Sequence, residues 1–111
     1  MSKNLVNCLG KLKTISKIKN STKRKKALNL NYDECLYKAL NEIAVNTVKR
    51  RVPLSIKQVN KLKKHKLNIK KLSCRTKNKK KQKQLVVQSG GFLPVLIPAI
   101  ASILTSILSN Q

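Results

Sequence analysis

Between Asn31 and Leu72 the apolar positions fall into two helical stripes divided by a proline. Leu36, Leu40, Ile43, Ala44 and Thr47 recur three and four residues apart, with Ala39 and Val48 at the edges. That period belongs to a helix with one buried face. Asn31 offers an N-cap, with Glu34 three residues on as its capping-box partner. Asp33 and Glu34 stand in the first turn and Lys49, Arg50 and Arg51 in the last, both placements favourable to the helix dipole. The spacing predicts a helix over about 32–50. Val52-Pro53 ends it, because the residue before a proline is pushed out of the α region. Ser55 and Gln58 make a second capping box, and Leu54 and Val59 take the two positions of a hydrophobic staple. Ile56, Val59, Leu62, Ile69 and Leu72 then follow one side of a second helix, over about 56–72. An αα-hairpin of the two buries Leu36, Leu40 and Ile43 against Val59, Leu62 and Ile69. A unit of about forty residues is marginal alone, so a partner or self-association is expected to stabilise it.

The flanks read differently. Leu5, Cys8, Leu9, Leu12 and Ile15 keep near-helical spacing among Lys3, Lys11, Lys13, Lys17 and Lys19, interrupted by Gly10. This is either a basic amphipathic helix or a partly ordered arm. At the other end, the seventeen residues from Phe92 to Leu108 carry no charge, the lower edge of a bilayer-spanning length. Pro94 and Pro98 interrupt them, so a helix is expected to start at Pro98 as its first residue. A helix over 98–108 is about 16 Å long, too short to span a bilayer. The basic body offers little apolar surface to cover this tail, so interfacial insertion or burial against another protein is expected. The fold class is mainly α: a small central hairpin with flexible basic arms and a short apolar C-terminal helix, partly disordered without a partner. The expected divisions are a basic arm at 1–31, the hairpin at 32–72, a basic linker ending in Gly-Gly at 73–91, and the apolar tail at 92–111.

Charge turns this pattern into a statement about partners. Of 111 residues, 26 are Lys or Arg and three are acidic, a formal charge of +23. Nine cations lie in residues 1–31 and thirteen in 53–83, both without an acid, and no charged side chain follows Lys83. A compact chain with so little compensation repels itself, which implies a polyanionic partner. The residues expected to contact phosphate are Lys23, Arg24, Lys25, Lys26, Lys49, Arg50, Arg51, Lys61, Lys63, Lys64, Lys66, Lys70, Lys71, Arg75, Lys77, Lys79, Lys80, Lys81 and Lys83. Lysines outnumber arginines by 22 to 4, against base readout, and aromatics are 3%, against stacking on single-stranded bases. Sequence-independent binding of double-stranded DNA by charge neutralisation is the expected activity. The alternative is a small basic membrane-active or tail-anchored protein, with membrane contact through residues 92–111. An RNA-binding role explains the charge but not the apolar tail.

Catalytic and metal chemistry are poorly supplied. One His and three acids make an enzyme improbable, and no cofactor is expected. Cys8, Cys35 and Cys74 stand far apart with no CxxC pair, which gives neither a disulfide framework nor a metal site, so reduced thiols are expected. His65, inside Lys63-Lys64-His65-Lys66, reads as a solvated surface residue. Met1-Ser2-Lys3 is not followed by the apolar run and cleavage site of a secretory signal.

Gly90-Gly91 followed by Leu93-Pro94-Val95-Leu96-Ile97-Pro98-Ala99-Ile100-Ala101 resembles the C-terminal part of the precursors of adenovirus core protein X (mu). In that family a very basic peptide ends in Gly-Gly before a Leu-Pro-x-Leu-Ile-Pro run. Ile43-Ala44-Val45-Asn46, Val52-Pro53-Leu54 and Lys63-Lys64-His65-Lys66 are similar to features of small proteins of Maverick/Polinton elements and adintoviruses. The Lys-rich helical body departs from mu, which is short and Arg-rich. The resemblance implies a DNA-condensing protein of a virion core, acting in the host nucleus, with capsid proteins and a viral maturation protease as partners. It also implies a cleavage site at Gly90, Gly91 and Phe92, since Gln88-Ser89-Gly90-Gly91 fits a loose form of the protease's target. Without the resemblance, Gly-Gly reads as a plain turn.

Overall fold

The amphipathic N-terminal stretch is helical, and so is most of what is described after it. The computed structural model describes residues 3–100. Its helices are α1 (Lys3–Ser16), α2 (Ser21–Leu30), α3 (Glu34–Val48), α4 (Ile56–Leu62), α5 (Lys66–Ser73) and α6 (Lys79–Gln88). A further helix, α7, is described over Leu93–Ile100. Single 3-10 turns, Lys63–His65 and Ser89–Gly91, follow α4 and α6. No strand occurs among the described residues.

Capping chemistry sets the starts. Ser55 and Gln58 make the expected reciprocal box: the Gln58 amide donates to Ser55 Oγ at 3.1 Å and the Ser55 amide to Gln58 Oε1 at 2.9 Å. The cap of α3 is Asp33 rather than Asn31, with the Leu36 amide donating to Asp33 Oδ1 at 2.7 Å. Asn31 instead closes α2, its amide and its side-chain Nδ2 both donating to the Ala27 carbonyl. The end of α3 is a Schellman motif: the Arg51 amide reaches Asn46 O at 2.8 Å and the Arg50 amide reaches Thr47 O at 3.1 Å. Arg50 fills its left-handed position with φ 58°.

The central pairing is between α3 and α5. Leu36, Leu40 and Ile43 are fully buried, as are Leu62, Ile69 and Leu72 to within a few per cent. Val59 and Ile56, expected on the same stripe, are 43% and 82% exposed. The 3-10 turn at Lys63–His65 is the cause, because it shifts the helical phase and turns α4 off the face that α5 continues.

The flanks differ from the expectations at both ends of the chain. Residues 1–31 are no flexible arm where described: α1 and α2 bury Leu5, Cys8, Leu12, Ile15 and Leu28, and α1 packs on α3. The linker at 73–91 contains α6, which packs against α2, α3 and α5. The described part of the apolar tail, residues 92–100, packs into the core of the chain itself. Its helix begins at Leu93 rather than Pro98, with Pro94 in the first turn, where no partner for its missing amide is required. The axis turns through 84° between Lys79–Gly91 and α7. That bend delivers Phe92, Leu93, Leu96, Ile97 and Ile100 to the interior, each at most 2% exposed. Burying five such side chains contributes roughly 10 kcal/mol before entropic costs, on the scale of a whole domain's net stability. The basic body thus has the apolar surface the sequence seemed to deny it, because α1, α2 and α6 contribute their own apolar faces. The radius of gyration is 13.0 Å, as for an ordinary folded domain of about 100 residues. The end of the tail, 101–111, lies outside the described residues.

Candidate nucleic-acid interface

Of the nineteen residues expected to meet phosphate, eighteen are exposed. Lys23, Lys25 and Lys26 lie on α2, and Lys79, Lys80, Lys81 and Lys83 on its neighbour α6. Lys49, Arg50 and Arg51 surround the end of α3. Lys61, Lys63, Lys64, Lys66, Lys70 and Lys71 follow α4, the 3-10 turn and α5, and Arg75 and Lys77 fall in the link to α6. Arg50, Lys63, Lys66 and Lys70 also line an open groove of about 770 Å³ with Val52, Leu54 and Val59.

The nineteenth, Arg24, is internal at 8% exposure. Its Nε donates to the Gly90 carbonyl, and one terminal nitrogen donates to Ile18 O at 2.7 Å and Lys19 O at 3.4 Å. It joins three segments and is not available to phosphate. Arg75 is partly engaged as well, donating from Nε to Asn41 Oδ1 at 3.1 Å.

Few acids compete for these cations. Glu34 stands 4.0 Å from Lys38 Nζ and 3.5 Å from Lys79 Nζ, both at exposed distances worth little. Asp33 is occupied in capping α3. Lys79, Lys80 and Lys81 occupy the first turn of α6, which has no acid there. Cations at a helix N-terminus oppose the dipole by some tenths of a kcal/mol each, a cost that a bound anion relieves.

The aromatic side chains are taken up by the fold. Tyr37 and Phe92 are buried. Tyr32 is half-buried and donates to Gln82 Oε1 at 2.8 Å. The Tyr37 hydroxyl accepts from the Thr76 amide at 3.1 Å. His65 is half-buried, not solvated, and its ring stands 6.0 Å from that of Phe92. Burial first, then Lys64 and Lys25, hold its pKa below the ordinary 6.5.

Gly90 and Gly91 lie inside the second 3-10 turn, Gly90 buried beside Lys25 and Leu28, Gly91 against the His65 ring. Phe92 is 1% exposed. In this fold the Gly-Gly pair is a close-packed corner, and a protease that takes an extended strand reaches it only after the corner opens.

Several structural residues carry no plain signal in the sequence. Asn41 donates to Leu72 O at 2.9 Å, and Gln82 donates to Thr76 O at 2.6 Å, so the link between α5 and α6 is tied down at both ends. Asn41 stands four residues after Tyr37 and three before Ala44 on the buried face, a faint hint. Arg24 offers none within its lysine run. Among the described residues there is no cluster of His, Cys, Asp or Glu able to hold a metal ion, and no single helix long and apolar enough to cross a membrane. No protein-family model, curated protein or solved structure matches this chain.

Proposed function

We propose that this protein binds and neutralises double-stranded DNA without reading its sequence, as a core protein of an adenovirus-like particle does. The observation that carries the reading is that eighteen of the nineteen expected phosphate contacts are exposed, on a chain with three acids in all. Size fits charge. The longest dimension is 38 Å, and a duplex presents one phosphate per about 1.7 Å of axis, so a segment of that length carries about 22 charges against the protein's +23. One molecule per helical turn leaves the complex nearly neutral, the condition for close packing of DNA. Duplex is favoured over single strands because Tyr37 and Phe92 are buried and Tyr32 is bonded to Gln82, leaving no platform for stacked bases. Base readout has little to work with, since Arg24 is internal and Arg75 is shared with Asn41.

The test is fluorescence anisotropy with two short duplexes of unrelated sequence across a salt series. Equal affinities are expected, falling by roughly a thousandfold or more between about 50 and 200 mM salt if six or more phosphates are contacted. Affinity that survives the higher salt, or that differs tenfold between the duplexes, overturns the reading.

A further inference from the structure

Cys8 on α1 and Cys35 on α3 are 27 residues apart in sequence, yet their sulfurs stand 3.2 Å apart and share a hydrogen bond. Both are thiols in this structure. Cys8 is 5% exposed and Cys35 half-buried, so the pair is accessible to solvent through Cys35. We propose that Cys8 and Cys35 form a site of oxidative modification, closing to a disulfide that staples α1 to α3 when a small disulfide of the glutathione class is the oxidant. Moving from 3.2 Å to a bond of about 2.0 Å asks a shift of about 1 Å, within reach of side-chain rotation.

The chemistry proceeds by two exchanges. Cys35 gives up its proton and attacks one sulfur of the oxidant, which expels one thiolate and leaves a mixed disulfide on Cys35. Cys8 then gives up its proton, attacks Cys35 Sγ and expels the second thiolate. The two released thiolates take up the two protons, so two protein thiols are oxidised and one external disulfide is reduced to two thiols. Near neutral pH the second exchange is slow. Burial foremost, then the hydrogen bond and charge of Cys35 and the charge of Asp33, push the Cys8 thiol up to about 11, with Lys11 opposing.

The staple closes a long loop in a chain whose +23 charge favours expansion. It consumes two uncharged groups, so the phosphate-facing surface is left as it was. The proposal stands apart from DNA binding and survives or fails without it.

The experiment uses the full chain with the exposed third thiol removed as Cys74→Ser, treated with glutathione disulfide at mildly alkaline pH. The expected products are a chain lighter by two hydrogens and a peptide linking Cys8 to Cys35. Thermal unfolding shifts upward by roughly 10 °C and returns on reduction. Adding Cys35→Ser abolishes both the link and the shift. A stable glutathione adduct without closure, two thiols that persist, a link that leaves the melting point unmoved, or one that forms as fast in urea each overturns the proposal.

Discussion

Arg24 donates its Nε proton to the carbonyl oxygen of Gly90, tying α2 to the corner where the chain turns into its last described helix. A guanidinium can hold three carbonyls at once, from Gly90, Ile18 and Lys19; an ammonium has neither the reach nor the planar fork. Arg24→Ala is therefore expected to lower stability by about 2–3 kcal/mol in urea denaturation, because it strands buried acceptors. Lys23→Ala, one residue away and exposed, is expected to stay within about 0.5 kcal/mol. Equal losses for both contradict the internal role of Arg24.

The glycines separate in the same assay. A methyl group at Gly91 meets His65 Cε1 at 2.9 Å, so Gly91→Ala forces the ring aside and costs about 1–2 kcal/mol. At Gly10, inside α1, nothing lies within 4 Å, and Gly10→Ala is expected to stabilise by about 0.5–1 kcal/mol. Arg50→Gly relieves the left-handed backbone at the end of α3 and gains a comparable amount. A destabilised Gly10→Ala or Arg50→Gly protein contradicts the geometry at that site.

His65 gives stability a pH dependence. Its folded-state pKa is lowered, so protonation favours the unfolded chain. Its stabilisation is complete above the unfolded value of about 6.5 and is lost as pH falls through the lower folded value. Denaturation midpoints are expected to drop from neutral pH toward about 5, the range through which the His65 ring takes up its proton. His65→Gln should flatten that slope; an unchanged slope assigns it to other groups.

Removing the chain after Gly91 tests the core directly. The described part of the tail supplies five fully buried side chains, so a protein ending at Gly91 is expected to lose cooperative thermal unfolding and most amide protection. A sharp, native-like transition in that truncation contradicts the packing of α7.

The sequence disclosed local structure better than long-range structure. The Ser55–Gln58 box and the α3 stripe were legible because both partners of each interaction lie within one or two turns. The cap of α3 slipped from Asn31 to Asp33 because both residues are good caps, and the choice was made by α2 needing Asn31 at its own end. The packing of residues 92–100 was illegible for a different reason. An uncharged run beside lysine blocks looks the same whether it leaves the body or fills it, and only the 84° bend at Phe92 decides. The spacing of Cys8 and Cys35 gives no sign of their pairing, because sequence distance says nothing once α1 folds back on α3. The exposed lysines were the most legible part of the candidate interface. Arg24 was indistinguishable from its neighbours because burial, not residue type, removed it from the surface.

The place of α7 at the end of the described chain bears on how the protein is made. The α7 residues that complete the described core leave the ribosome only after every one of the 26 cations has been made. At about 5–20 residues per second, the nascent chain spends seconds as a polycation without its closing helix. During that interval like-charge repulsion acts on a core that still lacks Leu93, Leu96, Ile97 and Ile100. Completion of α7 converts an indiscriminate polycation into a body with its charge fixed on a defined surface.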